Sequence, residues 1–126
     1  MTPKYKNQSL LQATQASLRG LFVLLSRERA AQKELALIVF SLVLVVISHA
    51  AALPVAMLVI ALLMLVVECL NTAIERLCDK VEPKKSNAIK DIKDIAAVPS
   101  LILSIIYGMA LAGFIYSLTL PSPLPF

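Results

Sequence analysis

The chain has 126 residues, 59% of them apolar, and a mean hydropathy of +0.82, well above a water-soluble domain, in which about half the residues are apolar. That excludes a freely soluble enzyme or binding module. The net charge of +4 comes from twelve Lys and Arg against eight Asp and Glu, all outside two charge-free stretches, Leu35 through Val67 and Ile95 through Phe126; the basic excess belongs beside a bilayer, and no nucleic-acid partner is expected.

Taken from the N-terminus, Leu10, Leu11, Thr14, Leu18, Leu21, Phe22 and Leu25 recur at three-to-four-residue spacing, with Gln12, Gln15 and Arg19 on the other face. This predicts an amphipathic helix over 8–30, lying in the membrane interface as an anchor or as a route for lipid to the site. The first charge-free stretch is too long for one crossing of about 20 helical residues and suits two. Their spans are placed at 35–49 and 54–78, with the turn at Ser48-His49-Ala50-Ala51-Ala52-Leu53-Pro54. Proline fits the first turn of a helix, where its missing N–H is not needed, so Pro54 marks the start of the second span. That span has to run on past Glu68 toward Arg76 to finish crossing, which puts Glu68 at the membrane boundary.

A third span is expected at 96–118, ended by Pro121-Ser122-Pro123-Leu124-Pro125. In it Ser104, Gly108 and Ala112 repeat every four residues, a small-residue stripe that lets helices approach closely in lipid, within one chain or between chains. Tyr107 and Tyr116 read as interface anchors. Pro99 is tolerated in a first turn and disturbs the helix if it lies deeper.

The basic residues divide into Lys4, Lys6, Arg19, Arg27, Arg29 and Lys33 before the first span, and Arg76, Lys80, Lys84, Lys85, Lys90 and Lys93 between the second and third. With three spans these segments share one side, and the positive-inside rule makes it the cytoplasmic one; the C-terminal tail then faces outward. His49 lies in the opposite turn, away from any cytoplasmic site. A cleaved secretory leader is the competing reading of the first apolar run, with Ser48-His49-Ala50 as a small-residue cleavage site, but the long charged segment ahead of it argues against this. Cys69 and Cys78 stand too far apart on one helix to bridge each other and read as packing residues, which fits a reducing compartment.

The chemistry gathers on the second span. Glu68, Asn71, Glu75 and Asp79 fall at intervals of three and four, so a 3.6-residue repeat stacks them on one face. A carboxylate near lipid is costly and usually functional, which makes Glu68 the most informative residue; the bland alternative is a carboxylate that only fixes helix packing. The order Glu68-Cys69-Leu70-Asn71-Thr72-Ala73-Ile74-Glu75, then Asp79, then Lys93-Asp94 after a short loop, resembles the prokaryotic diacylglycerol kinase family. Glu28 and Glu34 also match acidic positions of that family, so the likeness covers most of the chain.

The resemblance implies a single all-α membrane-embedded domain over 1–126, three transmembrane helices plus the interfacial helix, assembled as a homotrimer in the bacterial inner membrane with sites shared between subunits. It implies transfer of the γ-phosphate of Mg-ATP to the hydroxyl of diacylglycerol, giving phosphatidic acid. Phosphoryl transfer needs a metal clamp, a base for the attacking hydroxyl and positive charge on the phosphates. Glu28 and Glu75 are hard oxygen ligands for Mg²⁺ and so bind ATP through it. Glu68 is the general base and contacts the lipid, and Asn71 orients Glu68 or a phosphate oxygen. Lys93 and Asp94 hold the nucleotide, and Lys84, Lys85 and Ser86 line its mouth, although a solvated basic loop near anionic headgroups looks the same.

Glu34 and Ala97 are assigned to the lipid substrate, with pairing to Lys33 or Arg29 as the other reading of Glu34, and Asp79 supports the site. The near-repeat Ile89-Lys90-Asp91 and Ile92-Lys93-Asp94 leaves two registers, and the second fits the distance from Asp79. Ser9 and Ala16 stand where relatives often carry an arginine and an aromatic, so no role is transferred there. Gly20, Gly108 and Gly113 are isolated and form no phosphate-binding loop. Undecaprenol is the alternative acceptor on the same fold. A non-catalytic oligomeric membrane protein or channel is the alternative class, and it calls for polar residues through the depth of the membrane.

Overall fold

A computed structural model describes residues 9–121 as four helices with no strand among them: α1 (Leu10–Arg27), α2 (Arg29–Ile47), α3 (Ala52–Val81) and α4 (Asn87–Thr119). Lys4, Lys6, the start of the first helix near residue 8 and the tail prolines Pro123 and Pro125 lie outside the described residues. Helices α2, α3 and α4 are each long and apolar enough to cross a membrane.

Helix α1 begins on Ser9, whose Oγ accepts from the Gln12 backbone N–H while the Gln12 side-chain oxygen accepts from the Ser9 N–H. This reciprocal box satisfies two donors that a helix start leaves free. Leu10, Leu11, Leu18 and Phe22 all stay exposed and only Leu24 is buried, so most of the apolar stripe of α1 has no partner within the chain, and only its end near Leu25 is half-buried. The helix stops at Arg27, short of the expected 30, because Glu28 is extended (φ −107°, ψ 116°) and α2 restarts at Arg29.

Helix α2 closes with a Schellman arrangement, in which Ala50 N–H donates to Val45 O and His49 N–H to Val46 O. This turn places His49 and Ala50 at φ 53° and 62°, left-handed values without a glycine. Pro54 sits in the first turn of α3 and is fully buried. Below it Met57, Ala61 and Met64 form the packed centre with Tyr107 of α4. The spacing is the 3.6-residue period of a helix face.

Tyr107 is a correction: its ring lies in that centre, 5% exposed, and its hydroxyl shares a 2.8 Å hydrogen bond with the fully buried Ser41 Oγ of α2. A phenol so deep needs a partner, and Ser41 supplies it. Tyr116 remains exposed. In α4 the helix starts well before the apolar part, so Pro99 falls in its interior. It has no N–H to offer the Ile95 carbonyl, which loses its bond along the helix. Ser104, Gly108 and Ala112 lie on the exposed side of α4, and nothing stands within 4 Å of where a Gly108 Cβ would be. The small-residue stripe does not pack within this chain.

Candidate functional site

The buried face of α3 does not change direction where its chemistry changes. Met57, Ala61 and Met64 are followed, at the same spacing, by Glu68 and Asn71, 7% and 9% exposed. The helix thus carries two polar side chains into the protected seam, while Glu75 and Asp79 on the next turns are exposed. Thr72 Oγ1, also buried, donates to Glu68 Oε1 at 3.2 Å, and Asn71 Nδ2 donates to Glu75 Oε1 at 3.5 Å. Sequence reasoning gave Thr72 no role; its place one turn after Glu68 was the available signal.

Across the seam, Glu34 of α2 is 6% exposed and is a charged neighbour of Glu68. It makes no ion pair with Lys33 or Arg29, and among the described residues its Oε2 is buried with no partner. Asn71 Oδ1 is in the same condition. Two buried polar oxygens without partners in one small region are costly to leave that way, and such atoms call for a ligand or water.

Glu28 reaches the same region by a different route. As the single extended residue between α1 and α2 it leaves the helical path, its N–H donating to Leu24 O, and its carboxylate meets α3. There Arg76 Nη2 donates to Glu28 Oε1 at 2.8 Å, and Glu28 and Glu75 both act as charged neighbours of Glu68. The structure therefore brings Glu28, Glu34, Glu68, Asn71 and Glu75 to one end of the α2–α3 seam. No group of three His, Cys, Asp or Glu is arranged to hold a metal ion among the described residues.

The residues expected around the nucleotide lie beyond the end of α3, in the loop of residues 82–86 and in the first turns of α4. Lys84, Lys85, Ser86, Lys93 and Asp94 all line a single cavity of about 550 Å³ together with Asp79, within the range of small-ligand pockets, ~300–1,000 Å³. Lys93 donates to Asp79 Oδ1 and Lys90 to Asp94 Oδ2. Ahead of the charge-free part of α4, the Asp79 hydrogen bond holds the Lys93 ammonium above its ordinary pKa, so it keeps its charge. Lys90 thus faces the cavity too, while Asp91 does not line it. Ala97 is exposed on α4 and lines neither this cavity nor the second one.

That second cavity, about 620 Å³, opens between α1 and α3 and is mostly apolar. Its wall includes Leu21 and Leu24 of α1 and Cys69, Thr72 and Ala73 of α3, with Arg19 and Arg76 as its charged members. Cys69 and Cys78 are both free thiols.

A family model described as prokaryotic diacylglycerol kinase matches residues 15–116. No curated protein and no solved structure matches the chain. The matched range runs from α1 through most of α4 and takes in Glu28, Glu34, the polar stripe of α3 and the Lys93–Asp79 pair. With three apolar helices, no strand among the described residues, and a match over most of its length, the chain is an integral membrane protein that belongs to the prokaryotic diacylglycerol kinase family, a family of lipid kinases.

Proposed function

We propose that the protein transfers the γ-phosphate of ATP to the hydroxyl of diacylglycerol, with Glu68 as the general base. The observation that carries this reading is the position of Glu68: buried at the end of an otherwise apolar helix face, with a hydroxyl donor on one oxygen and charged or orphaned polar groups around it. A lipid alcohol arriving from the bilayer meets the apolar part of that face first and Glu68 where it ends. The attacking oxygen forms its bond to the γ-phosphorus as the bond from phosphorus to the ADP oxygen breaks, and the hydroxyl proton passes to Glu68. Thr72 fixes the carboxylate for that transfer. The Asn71 oxygen, lacking a partner, is free to accept from the bound reactants, while its amide holds Glu75.

The donor set fits a magnesium ion, which takes oxygen ligands and is commonly held by one or two carboxylates plus substrate phosphates. Glu28 and Glu75 would supply those carboxylates, and the 2.8 Å contact of Glu28 with a guanidinium supports a cation there. Bound with ATP, magnesium would neutralise charge developing on the phosphoryl oxygens. Lys84, Lys85, Ser86, Lys93 and Asp94 would bind the nucleotide in the cavity they line, with Asp79 fixing Lys93. Glu34 and Ala97 would contact lipid, Glu34 through its free oxygen; Ala97 rests on the resemblance alone.

The mostly unpartnered stripe of α1 fits a helix lying in the interface, and the outward-facing stripe at Ser104, Gly108 and Ala112 fits contact between copies in a homotrimer. The placement of the basic residues supports a cytoplasmic N-terminus, and the family supports the bacterial inner membrane as the location. A channel is disfavoured because the buried polar pair between α2 and α4, Ser41 and Tyr107, is closed on itself.

The test is phosphate transfer from labelled Mg-ATP in mixed micelles, with diacylglycerol and undecaprenol offered side by side. Faster labelling of diacylglycerol is the expected result. Faster labelling of undecaprenol moves the acceptor to the polyprenol, and labelling of neither by a folded oligomer rejects the kinase reading.

A further inference from the structure

Arg76 directly follows Glu75 on α3, and its guanidinium makes the only ion pair among the described residues that joins α3 to the α1–α2 junction. Its partner Glu28 is the residue at which the chain leaves the helical path. Both side chains are partly exposed, 46% for Arg76 and 34% for Glu28, so the pair is weak and readily exchanged. Glu28 and Glu75 are both charged neighbours of Glu68, and the guanidinium neutralises the first of them.

We propose that Arg76 is a positioning residue that occupies Glu28 in place of the divalent cation, holding that carboxylate toward α3 until the metal displaces the guanidinium. The proposal rests on the kinase reading for the metal's place at Glu28. A cation arriving at Glu28 Oε1 competes with Arg76 Nη2 for the same oxygen, so the resting site carries an internal competitor against metal. Displaced, the guanidinium stays within one side-chain length of the site, next to Glu75 in sequence.

The experiment is Mn²⁺ binding followed by the loss of the free-ion EPR signal, on purified protein in micelles without nucleotide or lipid. Arg76→Gln removes the competitor and is expected to tighten Mn²⁺ binding roughly three-fold, the scale of a partly exposed ion pair. Glu28→Gln is expected to weaken it. Lys80→Gln removes the same charge from the same helix without touching Glu28, and is expected to change little. Arg76→Lys, which keeps the charge but not the planar fork, should fall between wild type and Arg76→Gln.

An Arg76→Gln affinity no tighter than that of Lys80→Gln overturns the proposal, as does the absence of Mn²⁺ binding in every variant. The kinase reading is judged separately by lipid labelling in the wild type. Tighter binding in Arg76→Gln alongside no lipid labelling would leave the cation exchange standing and remove the kinase.

Discussion

The two ends of the α2–α3–α4 bundle treat polar atoms in opposite ways. Toward the His49 turn, the buried Ser41 and Tyr107 hydroxyls satisfy each other, and the packing around them is Met57, Ala61 and Met64. At the other end the Glu34 and Asn71 oxygens are buried with no partner, Glu68 is held by Thr72, and Glu28 by an exchangeable arginine. Helix α3 runs through both ends on one continuous face. The first region is complete as it stands and serves packing, whereas the second holds its groups ready for ligands.

If that contrast is right, substitutions at the two ends should fail differently. The largest effect is expected for Glu68→Gln, which keeps shape but cannot take the hydroxyl proton: turnover should fall by about a hundred- to ten-thousand-fold, with nucleotide binding nearly unchanged. Turnover and Mg-ATP affinity measured on the same preparation check this, and unchanged turnover would remove Glu68 as base. Glu75→Gln should weaken Mg-ATP binding and lower the rate, each by roughly tenfold. A loss of rate alone, seen by varying Mg-ATP, would mean that Glu75 is not a ligand.

At the packed end the readout should be stability. Ser41→Ala and Tyr107→Phe in a double-mutant cycle should give a coupling of about 0.6 kcal/mol, the average for hydrogen bonds between helices in lipid. The half-saturation for Mg-ATP should not move. The smallest effect is expected at the turn, where Ala50→Gly relieves a left-handed side-chain position at the cost of a freer unfolded chain. A net gain of roughly 0.5 kcal/mol is expected from resistance to thermal inactivation.

These regions also differ in how far the sequence discloses them. The spans follow from where charges are missing, and the face shared by Glu68, Asn71, Glu75 and Asp79 follows from helical period, since both depend on one helix at a time. The gathering of Lys84, Lys85 and Ser86 with Lys93 and Asp94 is a matter of a short loop folding back on its helices. The Glu28–Arg76 pair was out of reach because it depends on a one-residue break between α1 and α2, where no glycine or proline marks the interruption. Tyr107 is a different case: its place midway along the 96–118 span already argues against an interface anchor, and only its pairing with Ser41 is decided by packing.

The central claim is that the charged end of this bundle performs phosphoryl transfer to a membrane alcohol, and lipid labelling by the wild-type protein tests it most directly. With γ-labelled ATP, Mg²⁺ and diacylglycerol in micelles, the label should appear in phosphatidic acid, and excess chelator should abolish it. A folded, oligomeric protein that binds lipid yet leaves every offered acceptor unlabelled would contradict the account.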